Sequence, residues 1–474
     1  MAGDRAPRLR VTEIALFERD VHLRLPFRFG VVTLTEAPQA FARVRIQLAD
    51  GREAAGVAAE VLAPKWFDKD LRLSNDDNFD QLRGALAIAA RLYRAAPSTS
   101  AFGLFQGCYR AQIAEAAKHN LNSLVAGFGP ALLDRAVLDA LCRLHQVSLF
   151  QAMATNLAGL AASELTPDLV DFDVDRFVRA LSPPASIEAR HTVGLIDPIA
   201  SGGGKVNDGL PETLAEVVAA YGQRNFKLKV GGNLVDDLAR LTEIASVLDR
   251  IEEPYRATLD GNEQYQDVEP VKALLEAIAR MPALARLNQA ILFVEQPIAR
   301  QTALDTDIAA LGSLKPLLID ESDDSIESFP RAKSLGYRGV SAKGCKGLYK
   351  SILNAARCAR WNAEEGGPRY FMSAEDLTTQ AGVCVQQDLA LAALIGCDHV
   401  ERNGHHYVNG MAGLPASEQA GFLAAHPDLY HRADGVVRLT ITRGRIALGS
   451  LDCVGFATAA EPAWSAMRRA DAVA

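Results

Sequence analysis

Two lysines, Lys227 and Lys229, stand two positions apart in the run Asn-Phe-Lys-Leu-Lys-Val at 225–230. On a strand both project from one face. Ammonium groups side by side inside a fold repel and lose hydration, so they need anions opposite them or a task that uses them. Carboxylates follow downstream, each at the end of an apolar run: Asp260 after residues 257–259, Glu295 after 291–294, Asp320 after 316–319. A third lysine, Lys343, follows residues 339–342. Three acids drawn to one place repel one another, and a hard divalent cation with oxygen ligands is the usual way to hold them, which makes Mg²⁺ the natural expectation. With lysines before and after the acids in chain order, ammonium groups would stand on both sides of the metal. That arrangement suits taking a proton from the carbon beside a carboxylate.

The intervals say what must position these groups. Lys229 to Asp260 is 31 positions, Asp260 to Glu295 is 35, Glu295 to Asp320 is 25 and Asp320 to Lys343 is 23. A (β/α)8 barrel spends about 31 residues on each strand and helix, with catalytic groups at the C-terminal ends of successive strands. The spacing predicts such a TIM-type barrel, with the functional residues at successive strand ends.

The ordered set Lys-x-Lys (227–229), Asp-x-Asn (260–262), Glu-Gln-Pro (295–297), Asp-Glu-Ser (320–322) and Lys343 after the sixth strand resembles the enolase superfamily. It looks most like the muconate-lactonizing-enzyme subgroup of the mandelate racemase/muconate lactonizing enzymes, which also includes dipeptide epimerases, N-acylamino acid racemases and o-succinylbenzoate synthases. The resemblance implies an enolase-like modified barrel with an N-terminal α+β capping domain. It implies Asp260, Glu295 and Asp320 as ligands of Mg²⁺, with Mn²⁺ as the alternative ion. Lys229 and Lys343 would be the acid/base pair and Lys227 the cation beside the substrate carboxylate. The reaction implied is α-proton abstraction from a small carboxylate through an enediolate, in a racemase, epimerase or cycloisomerase. The alternative is a lyase, a dehydratase or a synthase of the o-succinylbenzoate kind, and a non-catalytic metal-binding barrel is the third reading. Lys346 competes with Lys343 for the sixth-strand role. No histidine stands in the seventh-strand exit 374–379, where mandelate racemases and acid-sugar dehydratases carry their base, which favours two lysines. The eighth strand leads into Glu401-Arg402-Asn403, where dipeptide epimerases carry Asp-x-Asp, and an L-Ala-D/L-Glu type substrate is correspondingly disfavoured.

The remaining chain supplies walls and loops. Val44, Ile46 and Leu48 alternate with polar residues ahead of the Asp50-Gly51 turn, which predicts a hairpin. Before it, residues 25–30 read either as a hairpin tip packed on the core or, by the resemblance, as a loop closing over the substrate. Phe27, Arg28 and Phe29 are therefore candidate substrate contacts, with Asn262, Glu321, Glu375 and Glu401 from the barrel loops. Asn262 also reads as a turn former. His405 and His406 read as hydrogen-bonding loop residues, with His405 and Arg402 also placed to reach a substrate. The domain reading is a capping domain over 1–130, a barrel over 131–434, an insertion at 152–185, and a segment 435–474 packing back on the capping domain. In that segment the alternation Val437, Leu439, Ile441, followed by Ile446 and Leu448, predicts a hairpin returning to the N-terminal domain. The run Gly202-Gly203-Gly204-Lys205 lacks both the outer-glycine spacing and the following Ser/Thr of a phosphate loop, and reads as a flexible loop at the barrel mouth.

The 474 residues carry a formal net charge of −8, which speaks against nucleic acid as a partner. The polar first ten residues do not read as a signal peptide, and no apolar run is long enough to span a membrane. Seven scattered cysteines without a Cys-x-x-Cys read as free thiols of a reducing compartment, so the expectation is a cytoplasmic enzyme, with association into homo-oligomers left open.

Overall fold

The computed structural model describes residues 6–30, 32–201 and 206–470. The glycine-rich segment 202–205 therefore lies outside the described residues. The chain begins with a long antiparallel meander of β1 (Leu9–Phe29), β2 (Val32–Leu48) and β3 (Glu53–Val61). Residues 25–30 are its tip: Phe27 pairs with Leu34 and Phe29 with Val32. Three helices, α1 (Asn75–Ala95), α2 (Ala101–Lys118) and α3 (Ser123–His145), cover the sheet. Gly56 is what lets α3 lie so close to β3, because a Cβ there would stand 2.2 Å from both the Ala136 carbonyl oxygen and the Ala140 nitrogen. The contact is pinned by polar groups as well. Asp139 accepts from the Val57 amide at 2.8 Å, and Arg135 donates to Glu60 at 2.9 Å. The boundary expected at 130/131 thus falls inside α3, a helix packed on the meander. Residues 149–179 contribute two short helices, α4 (Leu149–Ala154) and α5 (Val174–Arg179), within the stretch read as an insertion.

Eight parallel strands follow: β4 (Ser186–Val193), β5 (Asn225–Lys229), β6 (Arg256–Asp260), β7 (Ile291–Glu295), β8 (Leu317–Ile319), β9 (Gly339–Ala342), β10 (Phe371–Ala374) and β11 (His399–Glu401). They pair in chain order, and β11 closes on β4 through Val400 and Ala189. The result is the expected (β/α)8 barrel with an N-terminal α+β layer. Strand alternation divides the side chains. Phe226 and Leu228 of β5 face outward into an apolar cluster with Leu241, Ile244 and Leu248 of α7 (Leu234–Leu248), while Lys227 and Lys229 face inward. The intervening helix α6 (Leu214–Tyr221) follows β4.

The C-terminal segment departs from expectation. Val436–Leu439 (β13) pairs with Tyr430–Ala433 (β12), and Arg445–Ala447 (β14) joins the barrel, antiparallel to β4. The hairpin therefore does not return to the N-terminal domain. Ile446 opposes Ile187 at this edge, and burying both is the gain that holds it there. Only further on does the chain reach the capping layer, where Trp464 packs 5.0 Å from Phe17 and β15 (Arg468–Arg469) pairs with β1. Among the described residues no helix is long and apolar enough to cross a membrane. All seven cysteines are free, and six are buried.

Candidate active site

Each C-terminal strand end delivers a polar side chain into the barrel mouth. Lys229 lies level with Asp260, and Asp260 with Glu295, because β5, β6 and β7 pair in that register. Lys227, one inward position deeper, is the centre of the cluster. Its Nζ reaches Asp260 at 2.8 Å, Glu295 at 2.8 Å, Glu375 at 2.9 Å and Glu401 at 3.1 Å. Burial opposes charge on this ammonium, but the four acids outweigh it and hold the pKa of Lys227 well above that of ordinary lysine. Lys229 makes one ion pair among the described residues, to Asp260 at 2.6 Å, and its Nζ lies 5.9 Å from the centre of the Phe27 ring.

Lys343 reaches the mouth from β9. In a ring of eight strands β9 stands four strands from β5, so Lys229 and Lys343 enter from opposite sides. Lys343 Nζ pairs with Asp320 at 2.5 Å and sits 4.4 Å from the Trp66 ring centre, a cation–π contact with the capping domain. Burial works against its charge, and Asp320 more than restores it, so its pKa is raised. Lys346 lies behind Asp320 instead. It donates to Ser341 Oγ at 2.8 Å and to the Asp320 carbonyl at 3.1 Å, and pairs with Asp323 at 3.2 Å. Lys343 lines the cavity of the mouth and Lys346 does not.

The acids differ in the same electrostatic terms. Burial pushes Asp260 up, but Lys227 and Lys229 overcome it and hold the carboxyl below its ordinary range. Asp320 is likewise depressed, by Lys343 and Lys346 against burial. Glu295 goes the other way: burial, then Asp260 and Glu375 beside it, raise its carboxyl well above the usual range. Glu401 is held well below, because Lys227 and Lys229 outweigh burial.

Asp260, Glu295 and Asp320 supply six hard carboxylate oxygens, the donor chemistry a divalent ion such as Mg²⁺ takes. The Glu295 Oε2 atom is buried and meets Lys227 Nζ at 2.8 Å as an ion pair. In the arrangement described here each of the three acids is turned onto a lysine, and no group of three or more His, Cys, Asp or Glu side chains among the described residues is gathered to hold a metal ion. The donors fit the ion by type, and the lysines occupy their oxygens.

Phe27 and Phe29 are buried and line the mouth, whereas Arg28, between them on β1, is exposed on the opposite face. Asn262 lines the cavity, with its amide donating to Asp260 Oδ1 at 2.8 Å and its side chain to Glu321 at 3.3 Å. Glu321 points away from Asp320, as adjacent residues must, and joins Lys69 at 3.7 Å. Glu375 and Glu401 are both drawn in by Lys227. Glu401 is also held by Thr192 Oγ1 at 2.5 Å and Asn403 Nδ2 at 2.9 Å. Arg190, unnoticed in the sequence, is fully buried and donates to Glu375 and to His399 Nδ1, the latter at 2.6 Å. Its signal was the alternation Glu188, Arg190, Thr192 along one face of β4. Trp66 carried no sequence signal, since it lies between β3 and α1 and meets Lys343 only in the fold. His405 and His406 stand behind the barrel wall, against the outward-facing His191.

Fold and strand-end residues together define a (β/α)8 barrel with an α+β cap and a cluster of acids and lysines at its mouth. Residues 210–397 match the family model described as enolase C-terminal domain-like. No curated protein matches the chain. Among solved structures, a dipeptide epimerase from Enterococcus faecalis V583, complexed with Mg and the dipeptide L-Leu-L-Tyr, is similar at 14% identity and a TM-score of 0.58, over 94% of this chain and 99% of that one. A 2-chloromuconate cycloisomerase from Rhodococcus opacus 1CP is similar at 15% identity and 0.57, over 95% and 97%. An enolase superfamily member from Roseovarius nubinhibens ISM, complexed with magnesium, is similar at 16% and 0.53, over 96% of each. At these identities the likeness is one of fold.

Proposed function

We propose that this chain is a Mg²⁺-dependent enzyme of the enolase superfamily that moves the α-proton of a small carboxylate substrate, as a racemase, epimerase or cycloisomerase. The observation that carries the reading is the placement of Lys229 and Lys343 on opposite sides of one mouth that also holds Asp260, Glu295 and Asp320. The three acids would hold the ion, and the bound ion would supply positive charge to the substrate carboxylate as an enediolate develops. With the ion held by these acids, Lys229 and Lys343 would be freed from Asp260 and Asp320, while Lys227 would keep Glu375 and Glu401. Lys229 as the free amine takes the α-proton, the C–H bonding pair passes into the carboxylate as the enediolate, and Lys343 as ammonium returns a proton to the other face. The product is then the opposite stereoisomer. Lys227, held by Glu375 and Glu401, stays charged throughout and orients the carboxylate. In cycloisomerisation, or in the lyase alternative, one lysine transfers the proton and the other only offsets charge. Phe27, Phe29 and Trp66 form the apolar part of the wall, which favours a substrate with an apolar substituent. The cavity as described holds about 30 Å³, so the hairpin tip carrying Phe27 and Phe29 must shift to admit one.

Proton NMR in D₂O with Mg²⁺, run against N-acylamino acids, dipeptides and hydroxy acids, tests this. Exchange at Cα is expected, and Lys229→Ala and Lys343→Ala should each abolish exchange of one enantiomer while leaving the fold intact by circular dichroism. Loss of water to an unsaturated acid would instead identify the lyase. Exchange that survives in both variants would overturn the two-lysine assignment.

A further inference from the structure

Between β3 and α1 the capping domain sends a segment, residues 62–70, over the β9 side of the mouth. Trp66 on this segment is 3% exposed, and Lys343 Nζ stands over its ring, 4.4 Å from the centre. A lysine amine sits at the end of a flexible four-carbon stem, so its resting place is set by what it touches. Lys343 Nζ touches Asp320 and this ring.

The backbone of Trp66 is held from the barrel. Arg300, shortly after β7, forks onto Glu263, in the loop after β6: Nε donates to Glu263 Oε1 and Nη2 to Oε2, both at 2.8 Å. The same guanidinium donates from Nη2 to the Trp66 carbonyl at 2.7 Å and from Nη1 to the Phe67 carbonyl at 3.0 Å. The fork onto Glu263 fixes the plane of the guanidinium, and its bonds to two successive carbonyls fix the backbone that carries the indole. Lys69 ties the segment a second time, pairing with Glu263 at 2.5 Å and donating to the Asn262 carbonyl at 2.7 Å. Phe67 packs edge-on to Trp66 at 4.8 Å and to Phe128 at 5.5 Å. Glu263 itself holds a φ of +67°, a left-handed backbone that is costly for a glutamate and persists only where its surroundings fix it. Arg300 does not line the mouth, so its four side-chain bonds act there only through what they hold.

We propose that Trp66, seated by Arg300, positions Lys343 for proton transfer. This rests on the reading of Lys343 as one of the two proton-transfer groups. Lys229 stands on the other side of the mouth with a different ring, Phe27, 5.9 Å away, so the clamp serves one lysine and not the other. A reacting group about 1 Å out of place costs about 100-fold in rate. Loosening the clamp therefore slows transfer at one face of the substrate.

Two readouts test this on the full chain. The first needs no substrate: lysine labelled with carbon-13 at Cε. The ε-proton signal of Lys343, assigned by its absence in Lys343→Ala, is expected upfield of ordinary lysine because of the indole ring current. Trp66→Leu should return it to the ordinary position, and so should Arg300→Lys, which keeps the charge and loses the fork. Trp66→Phe, which keeps a ring, should leave it upfield. The second readout is Cα exchange at saturating substrate. Arg300→Lys should lower kcat about 100-fold for the enantiomer whose exchange Lys343→Ala abolishes, and far less for the one that Lys229→Ala abolishes. A purely structural role would lower both alike. The proposal is overturned by a Lys343 signal at the ordinary position in the wild type, by one that stays upfield in Arg300→Lys, or by equal loss of both enantiomers. An upfield signal that moves in both variants, with no Cα exchange in the wild type, would uphold the placement of Lys343 by Trp66 and Arg300 and overturn the function proposed above instead.

Discussion

His399 gives the sharpest test of how the floor of the mouth is held. Its Nδ1 lies 2.6 Å from Arg190 Nη1, and Arg190 in turn donates to Glu375, an acid paired with Lys227 at 2.9 Å. To accept from a guanidinium the imidazole must be neutral. Burial first, and repulsion from Arg190 second, push its pKa down to about 3, from an ordinary 6.5. A histidine depressed in this way binds its proton in the unfolded chain before it does in the folded one. It therefore contributes stability that is fully present above the unfolded pKa and lost as pH falls from there toward the folded one. Between about pH 7 and pH 5 the loss works out at about 2 kcal/mol, and by about pH 4 it reaches about 3 kcal/mol. Other groups titrate in the same window, among them buried carboxyls whose raised pKa values act in the opposite sense, such as Asp388. The comparison must therefore be with His399→Gln, whose amide oxygen accepts from Arg190 and does not titrate. Denaturant unfolding of both proteins at the two pH values isolates the one group. The wild type should lose about 2 kcal/mol more than the variant on going from about pH 7 to about pH 5. Equal losses would refute the reasoning, because they would mean His399 is charged in the fold or that its proton uptake is the same folded and unfolded.

Lys227→Met removes the one partner shared by four buried acids, and should cost about 3–5 kcal/mol in denaturant unfolding, partly restored by millimolar Mg²⁺. A small, Mg²⁺-insensitive change would contradict the charge accounting. Gly56→Ala forces a Cβ to within 2.2 Å of the α3 backbone, with no flexible side chain to give way, and should cost at least the upper end of the about 1–3 kcal/mol typical of overpacking. Phe27→Ala should raise KM for an accepted substrate by about 10- to 200-fold, with a smaller change in kcat, while Arg28→Ala, exposed on the far face, should alter neither.

What the sequence made legible, and what it hid, follows from how far each signal reaches. Asp260, Glu295, Asp320 and Lys343 each follow an apolar run directly, so the strand, its end and its inward residue could be read within a few positions. Phe27 and Phe29 came instead from the resemblance to a loop that closes over the substrate, and alternation alone would have excluded Arg28 had the tip been read as strand rather than loop. Partners across the fold were not legible. The alternation at 437–448 correctly marks one buried face but cannot name what buries it, and the answer was β4 of the barrel rather than the capping sheet. Arg190 is of the same kind, since an arginine on one face of a strand gains meaning only once Glu375 and His399 are found beside it.

Lys227 and Lys229 show the limit most plainly, and also why it matters for chemistry. In the sequence they are equivalent, two lysines on one face of one strand. In the fold, Lys227 is met by Glu295, Glu375 and Glu401 from residues 68, 148 and 174 positions away, as well as by Asp260, while Lys229 makes one ion pair among the described residues, to Asp260, and faces an aromatic ring. Every added acid makes an ammonium harder to deprotonate. On the proposed chemistry the two therefore cannot exchange roles. The lysine paired with four acids is suited to stay charged and hold a carboxylate, and the proposed proton transfer falls to Lys229, which makes one ion pair, to Asp260, among the described residues.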